Sequence, residues 1–148
     1  MSMQILQNDM LGRVLHNALH QRLIHFAEQH TPELPAEPVV ELWLSAFYNG
    51  DNKNIHILVD VDNQCNITGH CICIFNNEYG YKILHALQLQ DDKKSGSFLD
   101  ECMEYMEKLA QENEAHCIVL SVQKSAKAME KKFGYKISRT MMYKIAGQ

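Results

Sequence analysis

After Asn54 the apolar residues change to a period of two. In NIHILVDVD, Ile55, Ile57, Val59 and Val61 alternate with His56, Leu58 and Asp60. A strand presents that pattern on one face and a helix cannot. The polar turn VDNQCN leads into ITGHCICIF, and NNEYG leads into YKILHALQLQ. Strands joined by turns this short pair antiparallel with their sequence neighbours, because a parallel pair needs a crossover of about a dozen residues or more. The middle of the chain is therefore expected to be a three-stranded antiparallel meander.

The flanks have helical spacing. Apolar residues at 10, 11, 14, 15, 18, 19, 23, 26 and 27 form a stripe, with Asn8 or Asp9 available as N-cap. All three prolines lie in TPELPAEP, Thr31 to Pro38, which reads as a connector. A second helix follows over about Val39 to Tyr48 and stops at Asn49-Gly50. After the meander, Lys93 to Ser97 leads into a helix bearing Phe98, Leu99, Cys102, Met103, Met106, Leu109 and Ala110. AHCIVLSV is short and apolar, as in a strand buried on both faces. SAKAMEKKFG is a short helix with Ala126, Met129 and Phe133 inward and Gly134 as its stop. Tyr135, Ile137, Met141, Tyr143 and Ile145 alternate as a closing strand. The order implies an α/β (α+β mixed) fold, with a mixed, mostly antiparallel sheet flanked by helices on both faces. With 148 residues and no repeat or linker, one domain over 1–148 is expected.

Several function classes are disfavoured. Fourteen Lys and Arg against eighteen Asp and Glu leave a net charge of -4, the wrong sign for a non-specific nucleic-acid binder. No apolar run approaches the roughly 18 residues of a membrane span. MSMQILQNDM lacks a basic stretch followed by an apolar core, so no secretory signal is expected. Five cysteines, four of them in apolar periodic segments, point to reduced thiols and a cytoplasmic location. The triplet Asn66-Ile67-Thr68 is then a chance match to a glycosylation site.

Two segments carry a resemblance. Lys94-Ser95-Gly96-Ser97-Phe98-Leu99, followed by Cys102, Met103 and Ala110, is similar to the pattern Q/R-x-x-G-x-G/A with its trailing apolar and small residues. SAKAMEKKFGYK is similar to A-x-x-x-Y-x-K-x-G-F: Ala126, Lys132, Gly134 and Tyr135 match, while Glu130 replaces the tyrosine and Gln123 stands where asparagine is frequent. With the element order, these segments resemble the GCN5-related N-acetyltransferase family over nearly the whole chain. The resemblance implies acetyl-CoA as co-substrate, an amine acceptor and transfer by direct attack. It also implies that Lys93, Lys94, Ser95, Gly96, Ser97, Phe98 and Leu99 hold the pyrophosphate, where free helix-start amides and the helix dipole favour an anion. The pantetheine arm would lie along the strand backbone at Leu87 and Leu89. Leu99 replaces a glycine or alanine, and its side chain is expected to crowd the phosphates. Losing one charge-assisted hydrogen bond of about 1.5–3 kcal/mol weakens binding roughly 10- to 150-fold.

Amine acetylation needs a route for the amine's proton and an acid or water for the leaving thiolate. His85, on the strand implied to bind pantetheine, is the expected base, and His70 a second candidate. Tyr135 is the expected acid, with Tyr143 as alternative, and Glu130 reads as a solvated helix residue. His16 and His20, four apart on the first helix, read as exposed side chains rather than chelators, and Cys71 and Cys73 as small core residues; no metal is expected. Trp43 or Tyr48 would lie near the acceptor region or pack as core. The expected partners are acetyl-CoA and an unidentified amine, with no nucleic acid and no membrane. The oligomeric state stays open, a homodimer included. The runner-up is a fold of this family that has lost catalysis and serves as a binding or structural module.

Overall fold

The computed structural model describes residues 3–6, 10–50, 54–93, 95–121, 126–136, 142 and 144–147. The three expected strands form as β2 (Ile55–Val61), β3 (Ile67–Glu78) and β4 (Tyr81–Asp91), and each pairs antiparallel with the next. A short β1 (Met3–Ile5), too brief to show a period, pairs antiparallel with β2. On the other side β5 (Cys117–Leu120) runs parallel to β4, giving the order β1-β2-β3-β4-β5. The helix α3 (Ser97–Glu112) makes the crossover between β4 and β5 that a parallel pair requires.

Helices cover both faces. Along α1 (Met10–His30) and α2 (Ala36–Tyr48), Leu15, Leu19, Leu23, Val40, Leu44 and Phe47 pack on Ile57, Val59 and Ile72. On the opposite face α3 and α4 (Ala126–Phe133) bring Phe98, Cys102, Met103, Met106 and Met129 onto Leu58, Cys71, Cys73, Leu84 and Ala86. The sheet thus buries both of its sides, which explains why Leu58 is apolar within an otherwise alternating strand.

Three expectations shift. The helix α2 starts at Ala36 with Pro35 as its N-cap. Pro38 therefore lies in the first turn, where a missing N–H costs nothing, and the connector is shorter than Thr31 to Pro38. Second, β5 is the sheet edge among the described strands, with Cys117 exposed and its other residues half-buried, rather than covered on both sides. Third, Tyr135 and Ile145 belong to no described strand. Asn8, Asp9, Gln123, Ile137, Met141 and Tyr143 lie outside the described residues.

A bulge interrupts the pairing of β3 with β4. Ile72 faces Gln88 but Cys73 faces Ala86, so Leu87 is the extra residue. Before the bulge, Leu84 and Ala86 point to α3; after it, Leu89 does. Leu87 joins the cluster under α1 and α2 instead.

Candidate functional site

The strands β4 and β5 part company at the bulge. Their pairing runs from Ile83 and Cys117 to Ala86 and Leu120 and ends there. Beyond Ala86 no described strand pairs with the outer edge of β4, so the outward backbone groups among residues 87–91 have no strand partner among the described residues. Leu87 and Leu89, half-buried, stand at the start of this edge.

The edge continues into the start of α3. Gly96 is the N-cap, in the left-handed region at φ 72°, and no side chain caps the helix. The first intrahelical bond is Asp100 N–H to Gly96 O at 3.0 Å, so the amides of Ser97, Phe98 and Leu99 precede the helical ladder. Ser95 and Ser97 are exposed, with hydroxyls 3.3 Å apart. Leu99 is half-buried and packs against the cluster under α3, as does Leu89. Part of the side chain expected to crowd the loop is thus committed to the core.

Phe98 can offer a ligand only its backbone. Its side chain is 1% exposed and lies over Gly69, where a Cβ would sit 2.7 Å from Cδ2 and 2.9 Å from Cε2. A glycine on β3 therefore lets the first turn of α3 seat on the sheet. Gly69 pairs with Asp60 on one side and Asp91 on the other. Lys93 reaches across this row to Asp60, Nζ to Oδ2 at 3.2 Å. Asp60 is 1% exposed, and a carboxylate so buried needs a cation. This revises the expected role of Lys93, whose charge is engaged by Asp60. Lys94 lies outside the described residues. Another cation at the helix start is Lys132 of α4, paired with Asp100 at 2.8 Å.

A buried polar chain links α1 to β4. Arg22 Nε donates to His70 Nδ1 at 3.2 Å, and His70 Nε2 lies 2.9 Å from Gln88 Oε1. Gln88 Nε2 then donates to Leu23 O at 3.1 Å. Because Arg22 occupies Nδ1, the consistent tautomer is neutral His70 with its proton on Nε2. Burial, and then the Arg22 charge, lowers its pKa from 6.5 to about 4. These two effects make His70 a weak base with no lone pair to spare. They also predict acid sensitivity. Below about pH 6.5 the unfolded chain takes up a proton that the folded chain refuses until about pH 4. Stability therefore falls as pH drops through that window, by about 3 kcal/mol from this group. Urea titrations at a series of pH values should show that slope, and His70→Asn should flatten it.

His85 and Tyr135 are not brought together. His85 alternates with Leu84 and Ala86, which face α3, so its ring is on the side of α1 and α2. Its Nε2 lies 3.5 Å from Ser121 Oγ, where β5 leaves β4. Tyr135 packs under the α3 cluster, and its hydroxyl donates to Met103 Sδ at 3.6 Å. Burial, then Glu107, pushes its pKa up to about 12. The base candidate His85 and the acid candidate Tyr135 thus lie on opposite faces of the sheet.

No protein-family model matches the sequence, and no curated protein matches it either. Solved structures match over essentially the whole chain. A Trypanosoma brucei acetyltransferase superposes with a TM-score of 0.65 at 14% identity, covering 97% of this chain and 99% of its own. Glucosamine-6-phosphate N-acetyltransferase from Arabidopsis thaliana gives 0.65 at 11% identity, with 99% of both chains covered. The fold is that of the GCN5-related N-acetyltransferases. A transcriptional regulator from Bacillus halodurans is also similar, at 0.63 and 17% identity over 96% of this chain and 98% of that one. An acetyltransferase fold alone therefore assigns no chemistry.

The remaining candidates are placed as follows. His16 Nδ1 is 3.2 Å from Tyr48 Oη, and His20 pairs with Glu41, so both histidines tie α1 to α2. Trp43 is half-buried against the α1–α2 core. Cys71 and Cys73 are fully buried; hydrogen bonds among neighbouring thiols, together with burial, push both thiols up. Glu130 is exposed. Among the described residues no group of three or more His, Cys, Asp or Glu could hold a metal ion, and no helix is long and apolar enough to cross a membrane. Sequence reasoning missed Arg22 and Gln88, which carry no local motif, and treated Lys132 only as a motif match.

Proposed function

We propose that this chain is an acetyl-CoA-dependent N-acetyltransferase acting on an amine by direct attack. The observation that supports it best is continuity. Among the described residues, the outer β4 edge at residues 87–91 has no strand partner beyond Ala86 and is followed by a first turn of α3 without a side-chain cap, so backbone donors and acceptors succeed one another along one line of the chain. That line fits an extended amide-bearing arm ending in a pyrophosphate. In this reading the backbone at Leu87 and Leu89 holds the pantetheine amides. The amides of Ser97, Phe98 and Leu99 face the phosphates, with Gly96 giving the close approach and Ser95 and Ser97 their hydroxyls. Lys94 adds charge at the loop, and Lys132 offers charge from α4. Lys93 acts indirectly, by fixing the loop to Asp60. Acetyl-CoA supplies an acetyl group already activated as a thioester. His85, beside the last paired residues of β4 and β5, takes the proton of the attacking amine as the amide C–N bond forms and the thioester C–S bond breaks; CoA leaves as the thiolate and takes its proton from water. Tyr135 is given no acid role, since burial raises its pKa and it packs under α3, on the opposite face from His85.

Calorimetric titration with CoA tests this directly. Binding with a Kd at or below the low-millimolar range is expected, and no heat at millimolar CoA would sink the proposal. A second reading, loss of catalysis with the fold retained, draws on the exposed Glu130 and the withheld Tyr135. Thiol release from acetyl-CoA separates the two: release that depends on an added amine excludes the second.

A further inference from the structure

We infer that Arg22 is a positioning residue for the phosphate-binding loop, holding both ends of the open β4 edge against α1; the inference rests on the acetyl-CoA reading. Arg22 spends all five of its N–H donors. Nε goes to His70; Nη1 goes to Ile67 O at 3.2 Å and Asp92 Oδ2 at 2.8 Å; Nη2 goes to Asp92 Oδ1 at 3.1 Å and Gln90 Oε1 at 3.3 Å. The Asp92 contact is bidentate, a geometry that a guanidinium makes and an ammonium cannot.

The targets share one purpose in space. Asp92 directly follows the last residue of β4 on the approach to the Gly96 cap, and its own N–H donates to Thr68 O at 2.9 Å. Arg22 therefore fixes the chain where the loop leaves the sheet. Through His70 the same guanidinium reaches Gln88, beside the Leu87 bulge where the gap opens. One side chain thereby sets the distance between the start of the edge and the loop. An extended ligand bound at both ends requires that distance to be held.

The test uses calorimetry on wild type, Asp92→Asn and Arg22→Lys, with CoA titrated directly and pantetheine measured by competition against CoA. Pantetheine lacks the pyrophosphate, so it reports only the β4 edge. Asp92→Asn should weaken CoA roughly 5- to 20-fold and leave pantetheine unchanged, because only the loop end is released. Arg22→Lys should weaken both, and adding Asp92→Asn to it should cost no further affinity. CoA affinity unchanged in Asp92→Asn, or CoA and pantetheine weakened equally by it, overturns the inference. Should Arg22→Lys fail to fold, Asp92→Asn decides alone. Absence of CoA binding by wild type overturns the acetyl-CoA reading and this inference with it; wild-type binding with unaltered Asp92→Asn overturns the inference only.

Discussion

Phe98→Ala is expected to lower the unfolding free energy by about 3–5 kcal/mol, the usual cost of removing a buried aromatic ring. For a chain of this size that corresponds to a Tm lower by roughly 10 °C. The ring is almost wholly buried and pins the first turn of α3 onto the bare backbone of Gly69. Without it, the amides of Ser97, Phe98 and Leu99 lose their fixed aim, so CoA binding should fall as well. The partner substitution follows from the same contact. Gly69→Ala puts a Cβ 2.7 Å from the ring and should cost about 1–3 kcal/mol by overpacking. Combining it with Phe98→Leu, which frees space at that point, should recover part of the loss. Urea unfolding of the two single variants and the double variant gives the coupling. A Phe98→Ala variant within about 1 kcal/mol of wild type would show that the ring is no anchor.

How far the sequence reveals this molecule depends on how local each signal is. The meander is legible because the alternation over 55–61 and the apolar stretches within 67–78 and 81–91 are local patterns, and the turns between are too short for other topologies. The helix α3 is legible for the same reason, from Phe98 to Ala110. The three residues of β1 are too few to display any period. The bulge is hidden as well: YKILHALQLQ contains no glycine or proline to mark it. Strict alternation would put His85, Leu87 and Leu89 on one face. The extra residue instead sends Leu89 to the α3 side and keeps Leu87 with α1 and α2. Lys93 is the instructive case in the site. Beside the loop in sequence it reads as a phosphate ligand, but a buried carboxylate on β2 claims it. That claim comes from a residue distant in sequence, as do the contacts of Arg22. Local reading finds the start of α3 and misses the side chains that are packed and paired around it.

His85→Ala is expected to lower kcat for amine acetylation by roughly 10²–10⁴-fold, the usual contribution of a positioned base. CoA affinity should stay within about twofold, because a group that acts on the proton of the amine serves the transition state and not cofactor binding. The placement supports this asymmetry. His85 stands on the α1 and α2 side of the sheet at the last paired turn of β4 and β5, near Ser121. The proposed phosphate cradle lies beyond the far end of β4, several residues along the strand from His85. Tyr135→Phe makes the complementary measurement. It removes the bond to Met103 Sδ and should leave kcat essentially unchanged, since a hydroxyl with pKa near about 12 that already gives its proton to a thioether is a poor donor to a leaving thiolate. A large fall in kcat for Tyr135→Phe, with His85→Ala within about threefold of wild type, would reverse the assignment. The proton would then pass on the α3 side of the sheet, and His85 would be a packing residue at the strand junction.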